Sequence, residues 1–326
     1  MKAGKLKESV LKRSILKQLH KRREEAMALP AVGGDYGAMS ISEDVAVVLS
    51  SDPITLTKNA VGSSAIMAAC NDVACSGAKP MGVSVTMLLP TSYNEEELRD
   101  LMKDLDVACE KCNVDIINGH TEVTRAVKEP LVVVTAMGTV LKKDMIHSSG
   151  VRPGMDIVAT KWVGLEGTAI LAKEKDEDLR NRYAQPFIDK AKNFQQLMSI
   201  IPEAAVAAKS GASAMHDVSE GGIFGALWEL AESAGVGLEI DLKKIPIRQE
   251  TIEICEFFDL NPYKILSGGC LLIATEDGNG LVMEMEKADI PAVIIGKATD
   301  SNDRVLINED ERRFLETTQT DELYNI

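Results

Sequence analysis

HDVSEGGIFGALWELAESAGVGLEIDL, His216 to Leu242, carries three consecutive patterns: an acidic, glycine-bearing loop, a helix and a strand. Apolar residues recur at Ile223, Leu227, Leu230, Ala231 and Ala234, the 3.6-residue stripe of an amphipathic helix, and Gly235 stops it. Val236, Leu238, Ile240 and Leu242 then alternate with Gly237, Glu239 and Asp241, the period of a half-buried strand. Asp217, Glu220, Gly221 and Gly222 stand directly before the helix. A glycine pair there lets backbone amides approach an anion, and two carboxylates suit a divalent metal or a base. A capped helix with a solvated acidic entry is the plainer alternative, because acidic residues are favoured near any helix start. His216 reads as a surface neighbour of Asp217, outside the catalytic set.

Working upstream, the same alternation recurs. Asp44 precedes a β-branched run, Ala46 to Asp52, that ends in a carboxylate. Val61 to Ala78 reads as a helix with Val61, Ala65, Ala68 and Ala69 on one face, and Asp72 continues that face one turn later. Desolvating an unpaired carboxylate costs several kcal/mol, so Asp72 implies a metal or a hydrogen-bond partner. Met81 to Leu89 is a strand, and Asn94 with Glu97 forms a capping-box signature for a helix from Glu95 to Cys112. A strand at Asp115 to Ile117 runs into NGHTEV, and Leu131 to Val140 is another strand.

A turn and strand at Val151 to Thr160 restart the pattern. Lys161 to Ala172 reads as a glycine-spaced loop entering a helix, Lys173 to Arg182 as an exposed connection, and Phe194 to Lys209 as helical. Strands at Ser267 to Thr275, Ala292 to Thr299 and Arg304 to Asn308 complete a second unit. The reading is an α/β (α+β) chain with a basic N-terminal helix over 1–30 and domains over 31–149 and 150–326. Carboxylates and glycines cluster where strands end, the usual place for a ligand in such sheets.

Charge narrows the partners. The chain has 36 basic and 50 acidic side chains, a net −14, yet residues 1–23 hold nine Lys or Arg against one Glu. The remainder, 27 against 49, stands at −22. Such a body repels nucleic-acid phosphate, whereas small phosphorylated molecules stay accessible through Mg²⁺. The basic run predicts a solvated helical face over a Leu11, Ile15, Leu19 stripe. No apolar run spans a bilayer and no signal peptide is evident, which predicts a cytoplasmic protein without membrane contact. The six cysteines sit among apolar neighbours, and Cys109 and Cys112, a CxxC on the apolar face of a helix, read as core.

GHTEV after a strand, CNDVACSGAKPMGV (Cys70 to Val83) and the opening stretch together resemble the AIR synthase-related superfamily, from about Gly33 to the end. Within it, DxxxGG, ALxELAExxGVGxEID and KIPI (Lys244 to Ile247) run in the order found in the hydrogenase expression/formation protein E group. The resemblance implies a homodimer that binds ATP and Mg²⁺ in a cleft between an N-terminal sheet and a second α/β domain. It implicates Asp44, Asp52 and Asp72 as metal ligands. Asn71, Gly119, His120, Thr121, Gly164, Gly167, Gly221 and Gly222 would bind the nucleotide, and Asp217 and Glu220 would be catalytic. His120 stands where relatives carry Asp or Glu, so it would hydrogen-bond phosphate or cap the strand.

In that group a terminal cysteine accepts the carbamoyl unit that ATP-dependent dehydration turns into a thiocyanate. This chain ends TTQTDELYNI, and its last cysteine is Cys270. Three functions follow from the resemblance. The first is ATP-dependent phosphorylation and dehydration of an amide-like substrate not identified by any motif. The second is a small-molecule kinase resembling thiamine monophosphate kinase. The third is a non-catalytic nucleotide-binding paralogue that pairs with or regulates a maturation protein.

Overall fold

The computed structural model describes residues 4–57, 61–317 and 320–326. A short N-terminal arm begins with helix α1 (Glu8–Val10) and continues in irregular helical turns to Gln18. Strands β1 (Ala26–Ala28), β2 (Gly37–Ser40) and β3 (Val45–Ile54) precede α2 (Val61–Cys75), β4 (Lys79–Pro90), α3 (Glu95–Cys112), β5 (Asp115–Thr124) and β6 (Leu131–Leu141). These strands form one sheet in the order β1-β2-β3-β6-β4-β5, antiparallel except for β4 with β5.

The second half contains β7 (Asp156–Thr160), α4 (Leu165–Glu174), α5 (Asp176–Leu179), α6 (Gln185–Lys192), α7 (Ile201–Lys209), β8 (Ala212–Val218), α8 (Gly222–Ala234), β9 (Gly237–Asp241) and α9 (Gln249–Phe257). It closes with β10 (Cys270–Thr275), α10 (Gly278–Lys287), β11 (Ala292–Thr299), β12 (Arg304–Asn308) and β13 (Glu311–Phe314). Its sheet order is β13-β12-β9-β11-β7-β10-β8, with β12 and β9 the parallel pair. No helix among the described residues is long and apolar enough to cross a membrane.

Helix α2 organises the molecule. Twelve of its 15 residues are buried, which a helix tolerates only when packed on nearly every side. Ile66, Ala69 and Val73 join the first core with Val48, Val83 and Val134, while Ala74 and Cys75 pack against Ile200, Met215 and Ile273 of the second half. Asn71 fastens the two halves: its amide donates to the Met198 carbonyl at 2.9 Å and accepts from Ile200 N at 3.0 Å. Asp72, the one charged residue of α2, is thereby held at the junction.

The capping box before α3 is present as expected, with Asn94 accepting from Glu97 N and Glu97 accepting from Asn94 N. Leu101, Leu105, Ala108, Cys109 and Cys112 form the buried face of α3, and all six cysteines are buried free thiols. Three expectations change. Lys173 to Arg182 is no exposed connection, because α4 runs to Glu174, α5 follows and Leu179 is fully buried. The basic N-terminal run does not bury its stripe, since Ile15 and Leu19 are exposed. The arm is fastened instead by polar contacts to α8: Lys12 to Glu232 at 2.6 Å and Trp228 Nε1 donating to Glu8 at 3.1 Å. The segment entering α8 is also no loop, because β8 continues through His216 and Asp217, pairing them with Leu272 and Leu271 of β10.

Candidate nucleotide and metal site

On β3, burial alternates so that Ala46, Val48 and Ser50 face inward toward α2, and Asp52 falls on the same side two residues later. Ser50 Oγ lies 3.0 Å from Asp52 Oδ2 and 2.6 Å from Asp72 Oδ2. One hydroxyl proton cannot serve two carboxylates, so this trio is complete only with a further proton or a cation. Burial pushes the Asp72 carboxyl well above the usual range, and Asp217, Asp52 and Asp35 push it further.

β8 delivers the second half of the site. Asp217 is buried at its end, and burial together with Asp35 raises its pKa to about 7 against the opposing pull of His216 and Lys5. Glu166, on the first turn of α4, is likewise pushed to about 7, chiefly by burial. His216 behaves oppositely. Burial favours its neutral ring, but Asp35 Oδ1 at 2.5 Å from Nδ1 and Glu229 Oε2 at 3.3 Å from Nε2 outweigh it and raise the pKa to about 10. His216, expected as a surface neighbour of Asp217, is buried instead, and these carboxylates favour its imidazolium form. Lys5 Nζ extends the chain of alternating charge, 3.1 Å from both Glu229 oxygens.

Asp35, Asp52, Asp72, Glu166, Asp217, His216, Glu229 and Lys5 line one cavity of 320 Å³. Asp35 Oδ2 is buried there without a hydrogen-bond partner, and ligand atoms of Asp35, His216 and Asp217 all lie within 4.8 Å of one another. Most donors lining the cavity are carboxylate oxygens, the set a hard cation such as Mg²⁺ takes. The oxygens of Asp35, Asp52, Asp72 and Asp217 thus fit a divalent cation chemically, and burial with mutual repulsion raises the pKa of Asp72 and Asp217 among them.

Comparison with known proteins agrees with this architecture. Residues 33–140 match the AIR synthase related protein N-terminal domain, and residues 152–308 match its C-terminal domain. The chain belongs to the AIR synthase-related family. A Methanocaldococcus jannaschii protein assigned to hydrogenase expression/formation is 26% identical over 320 residues, 93% of this chain and 91% of that protein. The carbamoyl dehydratase HypE of Cupriavidus necator is 24% identical over 262 residues, 78% of this chain and 72% of its own. Among solved structures, the hydrogenase maturation protein HypE in complex with ATP superposes with a TM-score of 0.72 at 18% identity, covering 98% of this chain and 97% of that one.

The AIR synthase-related frame does not bring every expected residue to the cavity. Asp52, Asp72, Asp217 and Glu220 line it. Asp44 does not: it is exposed at the opposite end of β3, about 26 Å from Asp52 at the rise of an extended strand, and its carbonyl accepts from Lys142 N. Gly119, His120 and Thr121 lie on edge strand β5, three strands or about 14 Å from β3, with the His120 side chain 69% exposed. Asn71 spends its amide on the Met198 and Ile200 backbone.

The glycines also serve packing. An added Cβ at Gly164 would lie 2.6 Å from Thr251 Cγ2, and one at Gly167 2.4 Å from Ile265 Cγ1, so both permit close approach rather than line the cavity. Gly221 N donates to the buried Asp321 carboxylate at 2.8 Å, and Gly222 N donates to Ser219 O. In this conformation neither amide faces an open anion site. Asp321 is pushed to about 6 by burial, against backbone donors that hold it down.

Asp35, Glu166, Glu229 and Lys5 line the cavity although their sequence patterns did not single them out. Asp35 had the one available signal, a carboxylate directly after the Gly33-Gly34 pair in a segment feeding the first strand.

Proposed function

We propose that this cavity takes Mg²⁺ and the phosphates of ATP, and that the protein uses ATP to phosphorylate the oxygen of an amide-like substrate and then eliminates phosphate. The observation that carries the reading is the convergence of Asp35 and Asp52 from the first half with Asp217 and Glu166 from the second around Asp72, all within one cavity. A site so overloaded with carboxylate can accept a polyphosphate only with a cation between them. The likeness to HypE in complex with ATP supports the same occupant.

Asp35, Asp52 and Asp72 would hold the metal, with Asp217 completing the set. When bound, Mg²⁺ would neutralise charge on the phosphates as the terminal phosphoryl group moves. The amide oxygen would bond to the γ-phosphorus as the bond to the ADP oxygen breaks, and an amide N–H proton would pass to a carboxylate. Glu166, poised at about 7, is suited to that acceptance and to its return. Loss of phosphate from the phosphorylated amide, with Glu166 giving its proton to the departing phosphate and taking the remaining N–H proton, would leave a carbon–nitrogen triple bond. Glu220, whose Oε1 accepts from Lys5 N at 3.1 Å, would shape the mouth of the cavity.

We also propose a homodimer. Strand β5 stands at the edge of its sheet with Ile117 58% and Val123 61% exposed, an unpaired apolar edge of the kind proteins normally cover. Gly119, His120 and Thr121 would then contact ligand only through a site shared with a second copy. A monomeric mass by light scattering would rule this out.

The activity test is a stopped assay of ATP with Mg²⁺ and a panel of primary carboxamides, measuring phosphate, ADP and nitrile. Amide-dependent phosphate with nitrile supports the proposal. ADP with a phosphorylated acceptor and no free phosphate would replace it by a kinase, and binding without turnover by a non-catalytic paralogue.

A further inference from the structure

Among the described residues lining the cavity, the cations are His216 and Lys5. His216 is buried and locked between Asp35 and Glu229. Lys5 is of a different kind. Its side chain is 41% exposed and it belongs to an arm with no buried residue from Glu8 to Gln18. Its ammonium rests on Glu229 at 3.1 Å, and its backbone N–H donates to Glu220 Oε1 at 3.1 Å. It is a strongly hydrated point charge on a flexible four-carbon stem, free to exchange one oxyanion for another.

We propose that Lys5 is a substrate-binding residue that leaves Glu229 for the terminal phosphate of the bound nucleotide, so that the N-terminal arm supplies the positive charge the carboxylate walls cannot. The inference deepens the nucleotide reading above and rests on it. A phosphate bearing two charges attracts the ammonium more strongly than the single charge of Glu229, itself shared with His216. The arm does not depend on Lys5 for its place: Lys12 on Glu232 and Glu8 on Trp228 fasten it to α8 independently. Lys5 can therefore move its side chain while the backbone of the arm stays seated.

The test is calorimetric titration of the full chain with ATP and with ADP, each with Mg²⁺, for the wild type, Lys5→Met, Lys5→Arg and Lys12→Met. Lys5→Met should weaken ATP by at least about tenfold, about 1.4 kcal/mol, and ADP by less than about twofold on the same scale. Lys5→Arg should restore most of the ATP affinity, and Lys12→Met, which loosens the arm elsewhere, should leave the ratio of ATP to ADP affinity unchanged. An unchanged ATP affinity in Lys5→Met, or equal losses for ATP and ADP, overturns the assignment with the nucleotide reading intact. A wild type that binds neither nucleotide removes the nucleotide reading itself, and the role of Lys5 with it.

Discussion

Replacing Glu166 by Gln should make the protein more stable, and only at high pH. The carboxyl is held on α4 with Ser64 and Gly268 N donating to it, and a Gln carbonyl can keep those donors. Its pKa rises from 4.5 to about 7 because burial, reinforced by Asp321 and Asp217, disfavours the charged form. The folded state therefore binds a proton more tightly than the unfolded chain, and stability falls as pH rises between 4.5 and about 7. At about 1.4 kcal/mol per unit, the ionised group costs about 3 kcal/mol above that window and nothing below it. Urea unfolding without Mg²⁺ should show Glu166→Gln more stable by about 3 kcal/mol near pH 8.5 and equal to the wild type near pH 4. A difference that is absent or identical at both pH values would refute the electrostatic argument.

His216 has the opposite sign: its contribution is fully present below 6.5 and lost as pH rises through about 10. Nitrogen-15 NMR should find the ring doubly protonated from pH 6 to about 9, and His216→Gln should cost about 3–5 kcal/mol in urea unfolding by leaving buried carboxylates uncompensated. Gly222 has φ +63°, and an added Cβ would lie 2.5 Å from Tyr263 O, so Gly222→Ala should cost more than about 1 kcal/mol, visible as a lowered Tm. Asn71→Ala should cost about 2 kcal/mol or more in the same measurement, because it strands the Met198 carbonyl and Ile200 amide in the interior.

Elements with strong local signals were legible in the sequence. The Asn94–Glu97 box, the stripe of α8 ended by Gly235 and the strand Ala292–Thr299 need no tertiary information. Asp72 was legible as a cavity residue because it is a lone charge on an apolar helical face, and Asp52 because it ends a β-branched run. Asp44 was expected beside them because a carboxylate before a strand resembles one after it, whereas the strand's length keeps it out of the cavity. NGHT resembled a strand end, but β5 continues through it along the sheet edge. Glu166, Glu229 and Lys5 gave no local sign. They come from a helix start, the polar side of α8 and a basic arm, and only the closure of both halves and the arm around α2 brings them together.

The central claim is a carboxylate site that needs a cation to hold ATP. Its most direct test is calorimetric titration of ATP with and without Mg²⁺ on the wild type and on Asp72→Asn, which removes one charge at almost constant size. Binding should require Mg²⁺ and weaken at least about tenfold in Asp72→Asn. Binding that is absent, or that persists without Mg²⁺ and is indifferent to the substitution, would contradict it.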